Sequence, residues 1–253
     1  MSCGGTIYRQ TRRGERVLVI TAFAGTPPNH DLTPFTRELW ERWGGADNPV
    51  AARRAEDLAA LAGLGASAVH LPYLDCVYRQ HPATGEALYP TVDDIFAEVH
   101  SAEGALADVL YDDLRGRLDD RPGLQVYAPL AAGHHVDHQV VRQAATRLLA
   151  DGVEVAFYED WPYAGDEETV AQALGEGAGR WRRHIVPLTE EALAAKGDAV
   201  ARYASQISTF WPDTEAMRRA LYQHAQRVGG GRPGEGFWQR PHPTDAPIPR
   251  DGP

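Results

Sequence analysis

Cysteine is scarce in this chain: 253 residues hold two, Cys3 and Cys76. Two thiols make no disulfide framework, so a reduced, cytoplasmic setting is expected. No apolar run is long enough to cross a bilayer, and the opening residues Met1 to Thr6 lack the apolar segment of a secretory signal. Basic residues are also in short supply. Lys and Arg number 25 against 35 Asp and Glu, giving a formal net charge of -10. Nucleic acid and anionic membranes both need a basic face, so neither is expected as a partner. Internal repeats are absent. What remains is an ordinary globular composition, 43% hydrophobic and 24% charged, with length enough for one large domain.

Strand-like and helix-like segments alternate. Residues 16–23 are β-branched and apolar and read as a buried parallel strand; 67–71, 124–128 and 153–158 read as further strands. Helical patterns cover 49–64 (Asn48 as cap, Pro49 at the first position), 92–118, 137–150, 167–174, 190–207 and 213–228. Strands separated by such helices predict an α/β fold, a Rossmann-like parallel sheet with helices on both faces. Two long loops, 24–48 and 75–90, follow strands and are expected to overhang the same crevice as lids. The domain is expected to span 1–228. The Gly- and Pro-rich tail, 229–253, is expected to be extended and docked through Phe237 and Trp238.

The densest chemistry lies at Gly133-His134-His135-Val136-Asp137-His138, where a strand gives way to a helix. Open α/β sheets bind ligands beyond the carboxyl ends of their strands. Imidazole with carboxylate suits zinc, which points to metal-assisted hydrolysis. The alternative is that Asp137 caps the helix while the histidines are solvated.

Several stretches in order carry a resemblance. They are Ser2-Cys3-Gly4-Gly5-Thr6-Ile7, residues 17–25, Arg53-x-x-Glu56 before Leu64-Gly65, His135-x-Asp137-His138, residues 158–163, and residues 196–206. Together they resemble the PIG-L/LmbE-like family of zinc-dependent N-acetylglucosaminyl deacetylases. The resemblance implies zinc as cofactor and an amino-sugar conjugate as small-molecule substrate. It implies His138 as a metal ligand, His135 as the group that steadies the oxyanion or protonates the leaving amine, and Asp137 as the carboxylate that orients a histidine ring. It also implies Arg53 as a residue leaning over the crevice onto substrate. The competing reading of Arg53 and Glu56 is a surface ion pair one helical turn apart. Asp75, just past a strand, is a second substrate-binding candidate or a turn former. Tyr163 stacks on a sugar ring or packs a lid.

One departure stands beside the match. The family carries a His-Pro-Asp-Asp motif shortly before its Cys-Gly-Gly, supplying two further zinc ligands and the general base, and this chain begins at Met1-Ser2-Cys3 without it. The resemblance therefore implies an impaired site, unpaired strand edges mid-sheet and a reading frame that starts further upstream. The alternative function is a metal-free sugar-binding pseudoenzyme or an inactive fragment. His30-Asp31 in the first lid is a minor candidate for substitute ligands, Cys3 is expected to be a buried thiol, and Gly4-Gly5 lacks the preceding strand that a phosphate loop needs. An oligomer is compatible with all of this.

Overall fold

The computed structural model describes residues 2–28, 32–118 and 123–240, with the side chains of 176 and 177 excepted. His30-Asp31 and the chain beyond 240 lie outside the described residues. The elements in order are α1 (Gly4–Arg12), β1 (Leu18–Thr21), α2 (Pro34–Arg42), α3 (Pro49–Gly63), β2 (Ser67–His70), α4 (Val92–Ile95), α5 (Leu106–Arg117), β3 (Gln125–Pro129), α6 (Val136–Ala150), β4 (Glu154–Tyr158), α7 (Glu167–Leu174), β5 (Arg182–Pro187), α8 (Glu190–Ala201), α9 (Ala204–Phe210), α10 (Thr214–Val228) and β6 (Gly234–Gln239).

The α/β alternation holds, and helices flank the strands on both faces. β1 and β2 run parallel, Leu18 opposite Ser67. β3 and β4 run parallel, Gln125 opposite Glu154, and the group continues antiparallel in the order β3-β4-β6-β5. Among the described residues the strands thus form two groups rather than one sheet, and β1 and β3 each keep an edge with no strand partner. β1 is correspondingly less covered than a buried parallel strand would be: Leu18 is 53% exposed.

Helix α6 ties the two groups together. Val140 and Ala144 pack with Leu110 of α5 against Ala22 and Leu71 beyond β1 and β2. Further along, Ala145 and Leu148 pack with Ala128, Val155 and Phe157 of β3 and β4. Beside β1, Ile7, Ala60, Leu64 and Ala199 of α1, α3 and α8 gather Val17 and Val19.

Two expected helices are broken by tertiary hydrogen bonds. Residues 92–118 split because Gln139 donates to the Ala97 carbonyl, Tyr89 Oη accepts the His100 N–H, and the His100 ring accepts the Ala102 N–H. Residues 190–207 split where Glu56 of α3 accepts from both the N–H and the hydroxyl of Ser205, capping α9. Such side-chain partners compete with the helical ladder and win when they are buried.

The chain past α10 joins the sheet. Residues 234–239 are a strand inside the larger group, with Phe237 2% exposed. Glu235 of this strand accepts the N–H groups of Gly5 and Thr6 and the Thr6 hydroxyl, so a carboxylate occupies the positive end of α1. It also lies 2.8 Å from Lys196, the chain's single lysine, and both side chains are almost fully buried. The glycine pair therefore serves close packing and an internal carboxylate: a Cβ on Gly5 would meet Leu188 at 2.6 Å. No helix among the described residues is long and apolar enough to cross a membrane.

Candidate active site

β3 ends at Pro129, and the chain turns through Ala131 (φ 61°), Gly133 (φ 87°) and His134 (φ 61°) before α6 begins. Two non-glycine residues in the left-handed region make this a strained turn of the kind found at functional sites. A Cβ on Gly133 would lie 2.5 Å from the Tyr163 ring, so the turn and that ring are in direct contact. His134 points outward and is exposed, 3.1 Å from Glu98.

His135 is the N-cap of α6. Its Nδ1 accepts the Asp137 backbone N–H at 3.2 Å. Burial, reinforced by the charge of His138, pushes its pKa down to about 3 against the pull of Asp75, so the ring is neutral near pH 7. A neutral imidazole that accepts at Nδ1 carries its proton on Nε2. His135 therefore offers an N–H donor, 3.9 Å from the Cys76 sulfur.

His138, one turn on, is wired the opposite way. Its Nδ1 lies 2.8 Å from Asp160, whose carboxylate is 1% exposed and also accepts the Ala132 N–H at 3.0 Å. A carboxylate only accepts, so Nδ1 holds the proton and, in the neutral ring, Nε2 keeps a lone pair. Burial alone would lower the His138 pKa; the hydrogen bond and charge of Asp160 outweigh it and raise it. The two rings have centroids 5.4 Å apart. Asp160 was invisible as a functional residue in the sequence, although it stands in the 158–163 stretch, because its partner is 22 residues away.

The carboxylate hydrogen-bonded to the His138 ring is Asp160, whereas the resemblance implied Asp137 in that place. The Asp137 side chain is buried behind the site, where it accepts from Arg79 at 2.6 Å and from the Cys76 N–H at 3.2 Å. Burial pushes its carboxyl up to about 6 against the pull of Arg79, which leaves it ionised at neutral pH. Arg79 is held on its other side 2.6 Å from Glu103, with the Phe23 and Tyr89 rings over its guanidinium.

Arg53 and Asp75 meet each other, at 3.0 Å. Asp75 also caps a 3₁₀ turn at Cys76–Tyr78, so the turn-forming reading of this residue describes what it does here. Arg53 carries the Trp43 ring 4.7 Å away, and Glu56 turns to Ser205 instead of pairing with Arg53. Tyr163 is half-buried, its ring 6.4 Å from His138 and 5.8 Å from Phe96. Five of the six sequence candidates thus converge, Arg53 through Asp75 and Cys76 to His135, His138 and Tyr163, while Asp137 supports them from below.

Among the described residues, Cys76, His135 and Asp137 form a possible metal site, with ligand atoms within 4.8 Å of one another. As they stand these donors do not fit zinc. His135 carries its proton on the nitrogen that would bind, both Asp137 oxygens are engaged, and burial with the charges of Asp137 and Asp75 raises the Cys76 thiol well above its ordinary pKa. His138, whose neutral ring presents a lone pair at Nε2, is outside the group.

Residues 1–149 match the PIG-L family, GlcNAc-PI de-N-acetylases. The chain belongs to this family. It is 30% identical over 248 residues to the 2'-N-acetylparomamine deacetylase of Streptomyces fradiae, an alignment covering 88% of this chain and 82% of that protein. A second enzyme of that description, from Niallia circulans, is 27% identical over 64% of this chain and 62% of its own. Among solved structures, the zinc-inhibited form of teicoplanin deacetylase Orf2 superposes with a TM-score of 0.82 at 28% identity, over 96% of this chain and 94% of that one. The PIG-L match runs through α1, α3 and the turn that presents His135 and His138, so the family identity and the site geometry concern the same residues.

Proposed function

We propose that this PIG-L family chain binds N-acetylated amino-sugar conjugates at the His135–His138 cleft and hydrolyses the acetamide. Water adds across the C–N bond, releasing acetate and a free amine. The single observation that supports this best is the division of protons between the two rings. His135 holds an N–H where a carbonyl oxygen gains charge, and a neutral buried donor of this kind is worth most at an oxyanion. The same N–H is 3.9 Å from a weak sulfur acceptor, leaving it free to turn to a better one.

Asp160 keeps the lone pair of the neutral His138 ring on Nε2. Arg53, held between Asp75 and Trp43, and Tyr163 are the residues against which a sugar ring would lie. N-acetylglucosamine as the sugar and zinc as the cofactor come from family likeness. A second reading is favoured by one observation: His138 stands without two further donors among the described residues, which suits a protein that binds the sugar without turning it over.

One assay separates the two. Purified chain with and without added zinc is incubated with a methyl glycoside of N-acetylglucosamine, and acetate is followed by proton NMR. Acetate that appears with the wild type and falls 100-fold or more with His135→Ala supports hydrolysis. Saturation-transfer signals without acetate support the binding protein. Neither signal would contradict both.

A further inference from the structure

A row of aromatic rings leaves the histidine pair and runs to the protein surface. Phe96 lies edge-on to His135 at 5.5 Å and to Tyr163 at 5.8 Å. Tyr163 lies 5.7 Å from Phe210, at an interplanar angle of 85°. Phe210 is 5.3 Å from Trp211, which stacks on the buried Trp161 at 4.6 Å and 16°. The links from His135 through Phe96 and Tyr163 to Phe210 have the edge-on geometry that aromatic pairs favour, and Phe210–Trp211 is tilted at 50°.

Phe210 is the anomaly in this row. It ends α9, is 36% exposed, and yet is gripped by rings on two sides. Trp161 belongs to a core cluster with Trp211 packed against it, whereas Phe210 keeps part of its surface open to solvent. A rigid apolar face that needs no ordering on contact is a low-cost binding surface. Its place in the row, one ring beyond Tyr163 and two beyond His138, puts it where whatever is attached to the amino sugar would lie. Resting on the proposed amino-sugar reading, we infer that Phe210 is a specificity-determining residue: it receives an aromatic or apolar ring carried as the aglycone of the substrate.

The test compares the phenyl and methyl β-glycosides of N-acetylglucosamine, binding to the full chain by NMR titration. The wild type is expected to bind the phenyl glycoside about 3- to 10-fold more tightly, the range of one aromatic pair. Phe210→Ala is expected to bring the phenyl-to-methyl ratio to about one, and Phe210→Tyr to retain the preference. The emission of the stacked Trp161–Trp211 pair is expected to change with the phenyl glycoside and not with the methyl one. If the methyl glycoside binds but the phenyl glycoside binds no better, or if Phe210→Ala keeps the preference, this inference is overturned and the amino-sugar reading stands. If neither glycoside binds the wild type, both fall.

Discussion

His138 and Asp160 are joined at 2.8 Å through Nδ1, and Asp160 is among the most buried carboxylates in the chain. The bond fixes the His138 proton on Nδ1, as a carboxylate behind a metal-ligating histidine does in many hydrolases. Asp160→Asn keeps the size and an oxygen for the Ala132 N–H but removes the charge. Activity is expected to fall 10- to 100-fold, with folding retained. A circular dichroism spectrum and melting curve alongside the acetate assay check this; an unchanged rate would mean that the orientation of His138 is immaterial.

Lys196 and Glu235 form the most buried ion pair among the described residues, and Glu235 also caps α1. Removing one partner leaves an uncompensated buried charge, which costs about 3–5 kcal/mol. Lys196→Met is expected to lower the urea midpoint sharply. Lys196→Met combined with Glu235→Gln is expected to recover part of the loss, because the orphaned charge is gone and the amide oxygen still accepts from one of the two N–H groups of Gly5 and Thr6. A double variant as unstable as the single would contradict this account of the pair.

Acid should weaken the fold through its buried histidines. Burial, then the nearby charges of Lys196 and Arg227, push His224 down to about 4, and its Nδ1 has no hydrogen-bond partner. The unfolded chain takes up a proton near pH 6.5, well before the folded chain does. Stability is therefore fully present above that pH and is lost as pH falls toward 4, by roughly 2–3 kcal/mol for this residue. His135 acts in the same direction. Melting temperatures of the wild type and His224→Gln across pH 4 to 8 are expected to converge at the acid end; parallel curves would exclude His224 as a contributor.

Much of this was legible in local sequence, and what was not has a physical reason. Asn48 caps α3 ahead of Pro49, as the pattern at 48–64 indicates. The helix at 167–174 and the His135–His138 turn also stand where their patterns put them. By contrast, β5 and β6 carry no strand signature. Residues 182–185 of β5 are exposed, and β6 is diluted by Gly234 and Gly236. These strands form because of partners far away: a Cβ on Gly236 would strike Glu159 at 2.4 Å, and Glu235 reaches across to α1. Asp160 was hidden for the same reason, since nothing local distinguishes a carboxylate that ends a strand from one that orients a ring.

Gly133 ties the turn to the cleft wall. It has φ 87° and no room for a Cβ beside Tyr163. Gly133→Ala is expected to cost about 2 kcal/mol from backbone strain, and more if Tyr163 cannot yield. Chemical denaturation gives the cost. Displacement of Tyr163 should also weaken binding of the methyl glycoside, and unaltered affinity would show that the ring takes no part.

The central claim is that neighbouring histidines hold opposite tautomers, a donor at His135 and a lone pair at His138. Long-range proton–nitrogen correlation spectra of the imidazole rings, recorded on uniformly nitrogen-15-labelled chain near pH 8, read it directly. His135 is expected to show an Nε2–H pattern and His138 an Nδ1–H pattern, the latter lost in Asp160→Ala. Two rings with the same tautomer would contradict it.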